Sequence, residues 1–192
     1  MDLSQMSREH RLEIRAGEPG PKIDPLLYGI FWEELDFAGD GGVYAELLTN
    51  WNFESDPEKP RYWSVIQTGD ASGSMDLDDA VRLNDYQAHS LRVQVSATSK
   101  TGRFAVANEG YWGVPVAIGT CYDVSFYART EIDSRMSIRV SLENEEGTEV
   151  FGSVDFEAVS GDWTRYEATI TATSTDANGR LALTFGTTGV VW

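Results

Sequence analysis

Two groups of residues in this 192-residue chain carry side chains that could do chemistry. The first is the adjacent carboxylate pair Glu33-Glu34, which ends the apolar run Tyr28-Gly29-Ile30-Phe31-Trp32. Retaining hydrolysis of a glycosidic bond uses two carboxylates about 5 Å apart, one as nucleophile and one as acid/base. On a strand, successive side chains point to opposite faces, so Glu33 and Glu34 cannot flank one bond. The second group is Asn108-Glu109-Gly110-Tyr111-Trp112-Gly113, the densest cluster of rings with amide and carboxylate side chains. Such a cluster can stack on the apolar face of a sugar and read its hydroxyls. Covering one ring face removes roughly 100 Å² of apolar surface, worth about 2.5 kcal/mol. Millimolar binding takes about 4.1 kcal/mol, so a sugar site needs two rings plus hydrogen-bonding groups. Tyr111-Trp112, in a glycine-flanked loop, suits either a sugar platform or a packing surface for another domain. Of the other candidate rings, Trp63, Tyr86 and Trp163, the two tryptophans adjoin alternating strand patterns that predict core positions.

Other chemistries find little support. His10 and His89 form no metal motif. Cys121 is the single cysteine, which excludes an internal disulfide, and its apolar flanks predict a buried, inert thiol. The net charge is −16, with 31 acidic residues against 15 Lys and Arg. Nucleic acid and anionic membrane surfaces need a basic footprint, so neither is an expected partner. No apolar run approaches the ~18 residues of a membrane span, and MDLSQMSREHRLEI lacks the basic head and apolar core of a signal peptide. The expectation is a soluble chain with no export signal of its own: cytoplasmic, or secreted if the true N-terminus differs.

The elements that must position these residues fall into two regimes. Residues 11–16 alternate, predicting a half-buried strand, and Gly17-Glu18-Pro19-Gly20-Pro21 is a turn. Residues 26–34 read as a strand buried on both faces; charges ending such a strand lie where α/β barrels carry their chemistry. A Gly/Asp-rich loop, 36–42, and a short helix, 43–48, follow. After the polar hinge at 56–60, nearly every segment is a short alternating run between turn residues. Inward faces are predicted at Val124, Phe126 and Ala128, at Ile138, Val140 and Leu142, and at Tyr166, Ala168, Ile170 and Ala172, with a hairpin turn at 144–147. Eight to ten strands in ~130 residues predict an antiparallel jelly-roll β-sandwich. The chain is thus mainly β, with 1–54 and 55–192 as separate parts.

The earlier part resembles the first strand and loop of the (β/α)8 barrel of glycoside hydrolase family 51, the α-L-arabinofuranosidases. The resemblance rests on Gly29, Phe31 and Glu33, on Gly41-Gly42-x-Tyr44-Ala45-Glu46, and on Asn50-x-x-Phe53-Glu54. The later part resembles the family 4/9-type carbohydrate-binding β-sandwich, with Asn50 to Glu54 as its opening strand. Gly119-x-x-Tyr122-x-Val124-Ser125-Phe126-Tyr127-Ala128-Arg129 and Gly161-Asp162-Trp163-Thr164-Arg165-Tyr166 carry that likeness. Residues 108–113 and 189–192 match the version inserted after the first barrel strand of many arabinofuranosidases.

These resemblances imply a truncated barrel element followed by a binding or barrel-bracing module, its last strand cut short. They assign Glu33 to hydrogen bonding a substrate hydroxyl and place both catalytic glutamates beyond Trp192, so this chain supplies no catalytic residue. The implied partners are an arabinose-containing oligo- or polysaccharide, the remainder of the barrel, and a C-terminal β-sandwich that pairs with the first strand. A stand-alone arabinoxylan- or glucan-binding module, or part of a family 51-like endoglucanase, is the alternative. Modules of this type often hold a structural Ca²⁺. Asp76, Asp78 and Asp79 lack a Ca²⁺-loop spacing, so they read as a solvated acidic loop and no cofactor is expected.

Overall fold

The computed structural model describes residues 12–29 and 31–192. Met1–Glu33 and Glu34–Trp192 form two separate units. In the larger unit eleven strands run in succession: β1 (Trp63–Gln67), β2 (Ser72–Asp78), β3 (Ser90–Ala97), β4 (Phe104–Asn108), β5 (Val114–Val116), β6 (Cys121–Ala128), β7 (Arg135–Glu143), β8 (Val150–Ser160), β9 (Thr164–Thr171), β10 (Asp176–Phe185) and β11 (Gly189–Val191).

The strands β1-β4-β10-β7-β8 make one antiparallel layer, with β5 alongside β10. The other layer is built from β11-β3-β2 and the pair β6-β9. Two reciprocal backbone hydrogen bonds of 3.0 Å between Arg129 and Trp192 splice these two pieces together. Alternation decides which side chains face inward. Val124, Phe126 and Ala128 join Ile138, Val140, Leu142, Tyr166 and Ile170 in or against a single core. That outcome matches the inward faces that the sequence predicts, and the architecture is the expected jelly-roll sandwich.

Strand β4 is buried on both faces. Phe104 and Val106 enter the core, while Ala105 and Ala107 share the opposite face with Ala182 and Ser141, all buried. On that same face Glu143, fully buried, accepts two hydrogen bonds from Arg103 (2.8 and 2.7 Å) and one from Arg180 (2.9 Å). A carboxylate withdrawn from water needs such partners, since burying it alone costs several kcal/mol.

Residues 46–54 pack with the sandwich. Leu47, Leu48 and Phe53 lie against the core. Asn50 ties the segment down: its side-chain N–H donates to the Arg61 carbonyl (2.8 Å), its Oδ1 accepts from the Ser55 N–H (3.0 Å), and its carbonyl accepts from the Trp63 indole N–H (3.1 Å). Asn50 to Glu54 is therefore a run of turns, with Asn50 and Phe53 at φ +53° and +62°, and not an opening strand.

Three further expected elements are not formed among the described residues. Residues 12–16 form no strand, and Arg11 lies outside the described residues; instead the Glu18 N–H donates to the Arg15 carbonyl in a turn. Over 26–34 the regular structure is a 3-10 turn, Pro25–Leu27, capped by Asp24, whose side chain accepts from the Leu26 N–H at 2.8 Å. No barrel strand forms among the described residues there, and Ile30 lies outside them. A parallel strand is stable only between neighbours that satisfy its N–H and C=O groups on both edges. Residues 43–48 form no helix: Val43 and Tyr44 N–H groups close turns onto the Ala38 and Gly39 carbonyls (2.9 and 2.8 Å). Six residues with Val43 exposed lack the packing that offsets helix nucleation. Among the described residues no helix is long and apolar enough to cross a membrane.

Cys121 is exposed. It occupies an outward position of β6, whose alternation turns Tyr122 and Val124 inward, with its sulfur 3.6 Å from the Thr171 hydroxyl. The apolar neighbours in sequence belong to the opposite face and to the preceding turn.

Candidate functional site

Tyr111 and Trp112 lie in the loop between β4 and β5. That loop is anchored by Asn108, whose exposure is 0%. Its side-chain N–H donates to the Thr49 carbonyl (2.8 Å) and its Oδ1 accepts from the Gly110 N–H (2.9 Å). Both ends of the amide are occupied, so Asn108 is a clamp and not the sugar-reading group that its sequence position suggests.

Gly110 and Gly113, at φ +67° and +90°, flank the rings. A Cβ at either would stand 2.6 Å from backbone, at the Leu47 carbonyl oxygen and at Asn178 Cα respectively. The left-handed, tightly packed backbone turns the Trp112 ring outward, where it is 70% exposed. Tyr111 is half-buried beneath the loop 36–42. Phe37 stands 4.9 Å from Tyr111 and 6.1 Å from Trp112, centroid to centroid. A Cβ on Gly41 would lie 2.6 Å from the Tyr111 ring, so this approach admits only glycine.

Tyr62, Glu109, Tyr111, Trp112, Glu145 and Asn178 line a shallow cleft of about 400 Å³. Glu109 is exposed. Burial pushes the Tyr111 hydroxyl above its ordinary pKa, and the carboxylates of Asp40, Glu46 and Glu34 push it further. It stays a neutral O–H.

Tyr62, Glu145 and Asn178 are missed by sequence reasoning. Asn178 is delivered by a β-bulge: β10 pairs with β5 at Asp176↔Val116 and Gly179↔Val114, one residue out of register. Bulges re-aim side chains in this way, and the Asn178-Gly179 step inside an alternating run is the available signal. Glu145 belongs to the 144–147 hairpin turn, visible in sequence, but nothing local indicates that this turn meets Trp112. Tyr62 has half its surface exposed and adopts φ +70°.

The remaining candidates lie elsewhere. Glu33 is exposed in the smaller unit, in a stretch without regular structure. Tyr86 is almost fully exposed, in a loop held by the Asn84 side chain. Trp63 packs on Phe53 (5.5 Å) against the core, and Trp163 is half-buried. Asp78 accepts hydrogen bonds from Trp192, Ala80 and Val81. Among the described residues no three His, Cys, Asp or Glu side chains converge as metal ligands. A second depression of about 370 Å³ lies on β6 and β9 around Asp123, Ser125, Arg165, Glu167 and Thr169. It has no ring among its lining residues, and its polar groups engage each other, Arg165 with Glu167 at 2.6 Å and Thr169 with Asp123 at 2.7 Å.

A two-layer antiparallel sandwich presenting exposed rings beside carboxylate and amide groups has the build of a carbohydrate-binding domain. Residues 45–189 match the 4/9-type carbohydrate binding domain family, and the chain belongs to that family. It is also similar to larger enzymes. It is 33% identical, over 91% of its length, to an extracellular exo-α-L-arabinofuranosidase of Streptomyces chartreusis, and 33% identical, over 94%, to α-L-arabinofuranosidase 1 of Arabidopsis thaliana. It spans only 20% and 28% of those relatives. An arabinose-bound GH51 α-L-arabinofuranosidase superposes with a TM-score of 0.71 at 25% identity, over 85% of this chain and 28% of that one. The enzymatically active domain of a bacteriophage CBA120 tailspike protein shares the fold alone (TM-score 0.55, 12% identity, 76% of this chain and 20% of that one).

Proposed function

We propose that the sandwich binds carbohydrate in the cleft between Tyr62 and Trp112, as a module of a retaining α-L-arabinofuranosidase acting on arabinose-containing plant polysaccharides. The observation that carries the binding role is the pairing of two exposed rings with Glu109, Glu145 and Asn178 around one cleft. Each stacked ring contributes about 2.5 kcal/mol, so two reach the ~4.1 kcal/mol of millimolar affinity. The carboxylates accept from sugar hydroxyls and the Asn178 amide both donates and accepts. The enzyme context is supported by the 33% identity to arabinofuranosidases across nearly the whole of this chain. In that context residues 26–34 would complete a barrel strand once neighbouring strands flank them, and Glu33 would face the substrate.

A bracing role is the second reading. It is favoured by Leu35, Phe37, Val43, Tyr44 and Trp51, large apolar residues left exposed in the segment that precedes β1. Calorimetric titration with arabinan, arabinoxylan and mixed-linked glucan oligosaccharides separates the two. Saturable binding that disappears with Trp112→Ala supports the sugar site; no heat with any of them assigns the module to bracing.

A further inference from the structure

We propose that the Tyr62–Trp112 cleft accepts neutral glycans and rejects chains bearing uronate or other anionic groups, with Glu109 and Glu145 as the residues that enforce the rejection. This rests on the reading of the cleft as a sugar site. Among the described residues the only charged side chains lining the cleft are those two glutamates, and both are exposed to an incoming ligand. Asp40, Glu46 and Glu34 lie near enough to Tyr111 for their charge to be felt there.

Among the described residues no Lys or Arg lines the cleft. Arg61, next in sequence to Tyr62, pairs with Asp56 at 3.6 Å. Arg103 and Arg180 share the single buried Glu143, which neutralises one of their two charges and leaves the other behind the 144–147 turn, outside the lining of the cleft. The long-range field has the same sign, since the chain carries a net charge of −16.

The chemistry of the wall follows from these groups. A carboxylate is an acceptor only, so a sugar hydroxyl satisfies it by donating, whereas a ligand carboxylate has no proton to give. Among the described residues Asn178 is the one lining side chain besides tyrosine and tryptophan that can donate, and a neutral amide does not balance two charges. At separations of about 7 Å in a water-like dielectric, each glutamate weakens an anionic ligand about threefold, hence roughly five- to tenfold together at low salt. Screening removes most of that effect once the Debye length falls to about 3 Å.

The test compares a neutral arabinosyl-substituted xylo-oligosaccharide with a glucuronosyl-substituted one of equal backbone length. Both are titrated into the full chain and into Glu109→Gln/Glu145→Gln, at about 10 mM and about 1 M salt. The expected result is a five- to tenfold preference for the neutral ligand at low salt, collapsing toward unity at high salt and in the double variant. Equal or tighter binding of the acidic ligand at low salt overturns the selectivity and leaves the sugar site standing. So does a preference that neither salt nor the glutamine substitutions alter, because shape would then be its source. Absence of binding by either ligand overturns the sugar site and the selectivity together.

Discussion

Trp192 donates its indole N–H to Asp78 at 2.7 Å, joining the end of β2 to the residue that follows β11. The same carboxylate accepts from the Ala80 and Val81 N–H groups, at 2.8 and 3.0 Å. Burial pushes the Asp78 carboxyl up. The hydrogen bonds from Trp192, Val81 and Ala80 and the charge of Arg92 outweigh it and hold the pKa below the ordinary value. Glu54 behaves alike: burial raises it, but hydrogen bonds from His89 and Ala88 bring it down.

A carboxyl whose folded pKa is depressed stabilises the fold fully above its unfolded pKa and loses that contribution as pH falls through the folded value. Melting temperature is therefore expected to be flat near neutrality and to fall progressively below about pH 4 to 5. Asp78→Ala, which removes three hydrogen bonds, should cost about 1–3 kcal/mol at neutral pH and flatten that decline. A variant as stable and as acid-sensitive as the wild type in a thermal melt series would show that the contact is idle.

Asn108→Ala leaves the Thr49 carbonyl and the Gly110 N–H without partners in the interior. Each orphaned group costs about 1–3 kcal/mol, so urea denaturation should report a loss of a few kcal/mol. Loss of ligand affinity with unchanged stability is the result that contradicts the clamp.

Trp112→Ala removes a ring that is mostly in water. Affinity for a bound oligosaccharide should fall ten- to hundredfold, about 1–3 kcal/mol, while the melting temperature moves little. Tyr62→Ala should weaken the same ligand. The reverse pattern, a destabilised fold with intact binding, would return Trp112 to a packing role.

Glu143 offers the strongest stability test. Glu143→Gln keeps the shape but leaves Arg103 and Arg180 facing each other without a counter-charge, at an expected cost of about 3–5 kcal/mol. Replacing all three with apolar residues of similar volume should recover much of that loss. A single substitution within 1 kcal/mol of wild type by chemical denaturation would exclude the triad as a buried ion cluster.

Cys121 should react with a water-soluble disulfide reagent in the native protein, at one equivalent and without denaturant. A thiol that titrates only after unfolding would mean that β6 presents its other face to solvent.

What the sequence determined by itself was periodicity and its immediate consequences. Alternation in β6, β7 and β9 decides which of Val124, Ile138 and Ile170 turn inward, and Asn144 to Gly147 carries the geometry of its own turn, because side-chain direction on a strand and turn conformation are local properties. The glycines at 110 and 113 likewise announce that Trp112 is turned outward. Only the tertiary structure decided what lies beside what. Asn108 is spent on Thr49, 59 residues away in the chain, so an amide that reads as available in sequence is a clamp in space. Asn178 and Glu145 reach Trp112 through the register of β10 and the β7–β8 hairpin; the Asn178-Gly179 step and the 144–147 turn are legible locally, but not what they meet. Cys121 looked buried because apolar residues adjoin it in sequence; the pleat sends them to the other face. The segments around residues 12–16 and 26–34 carry strand patterns without forming strands. A strand's hydrogen bonds are made with its neighbours, so a sequence can specify the side chains of a strand but not the partners that hold it.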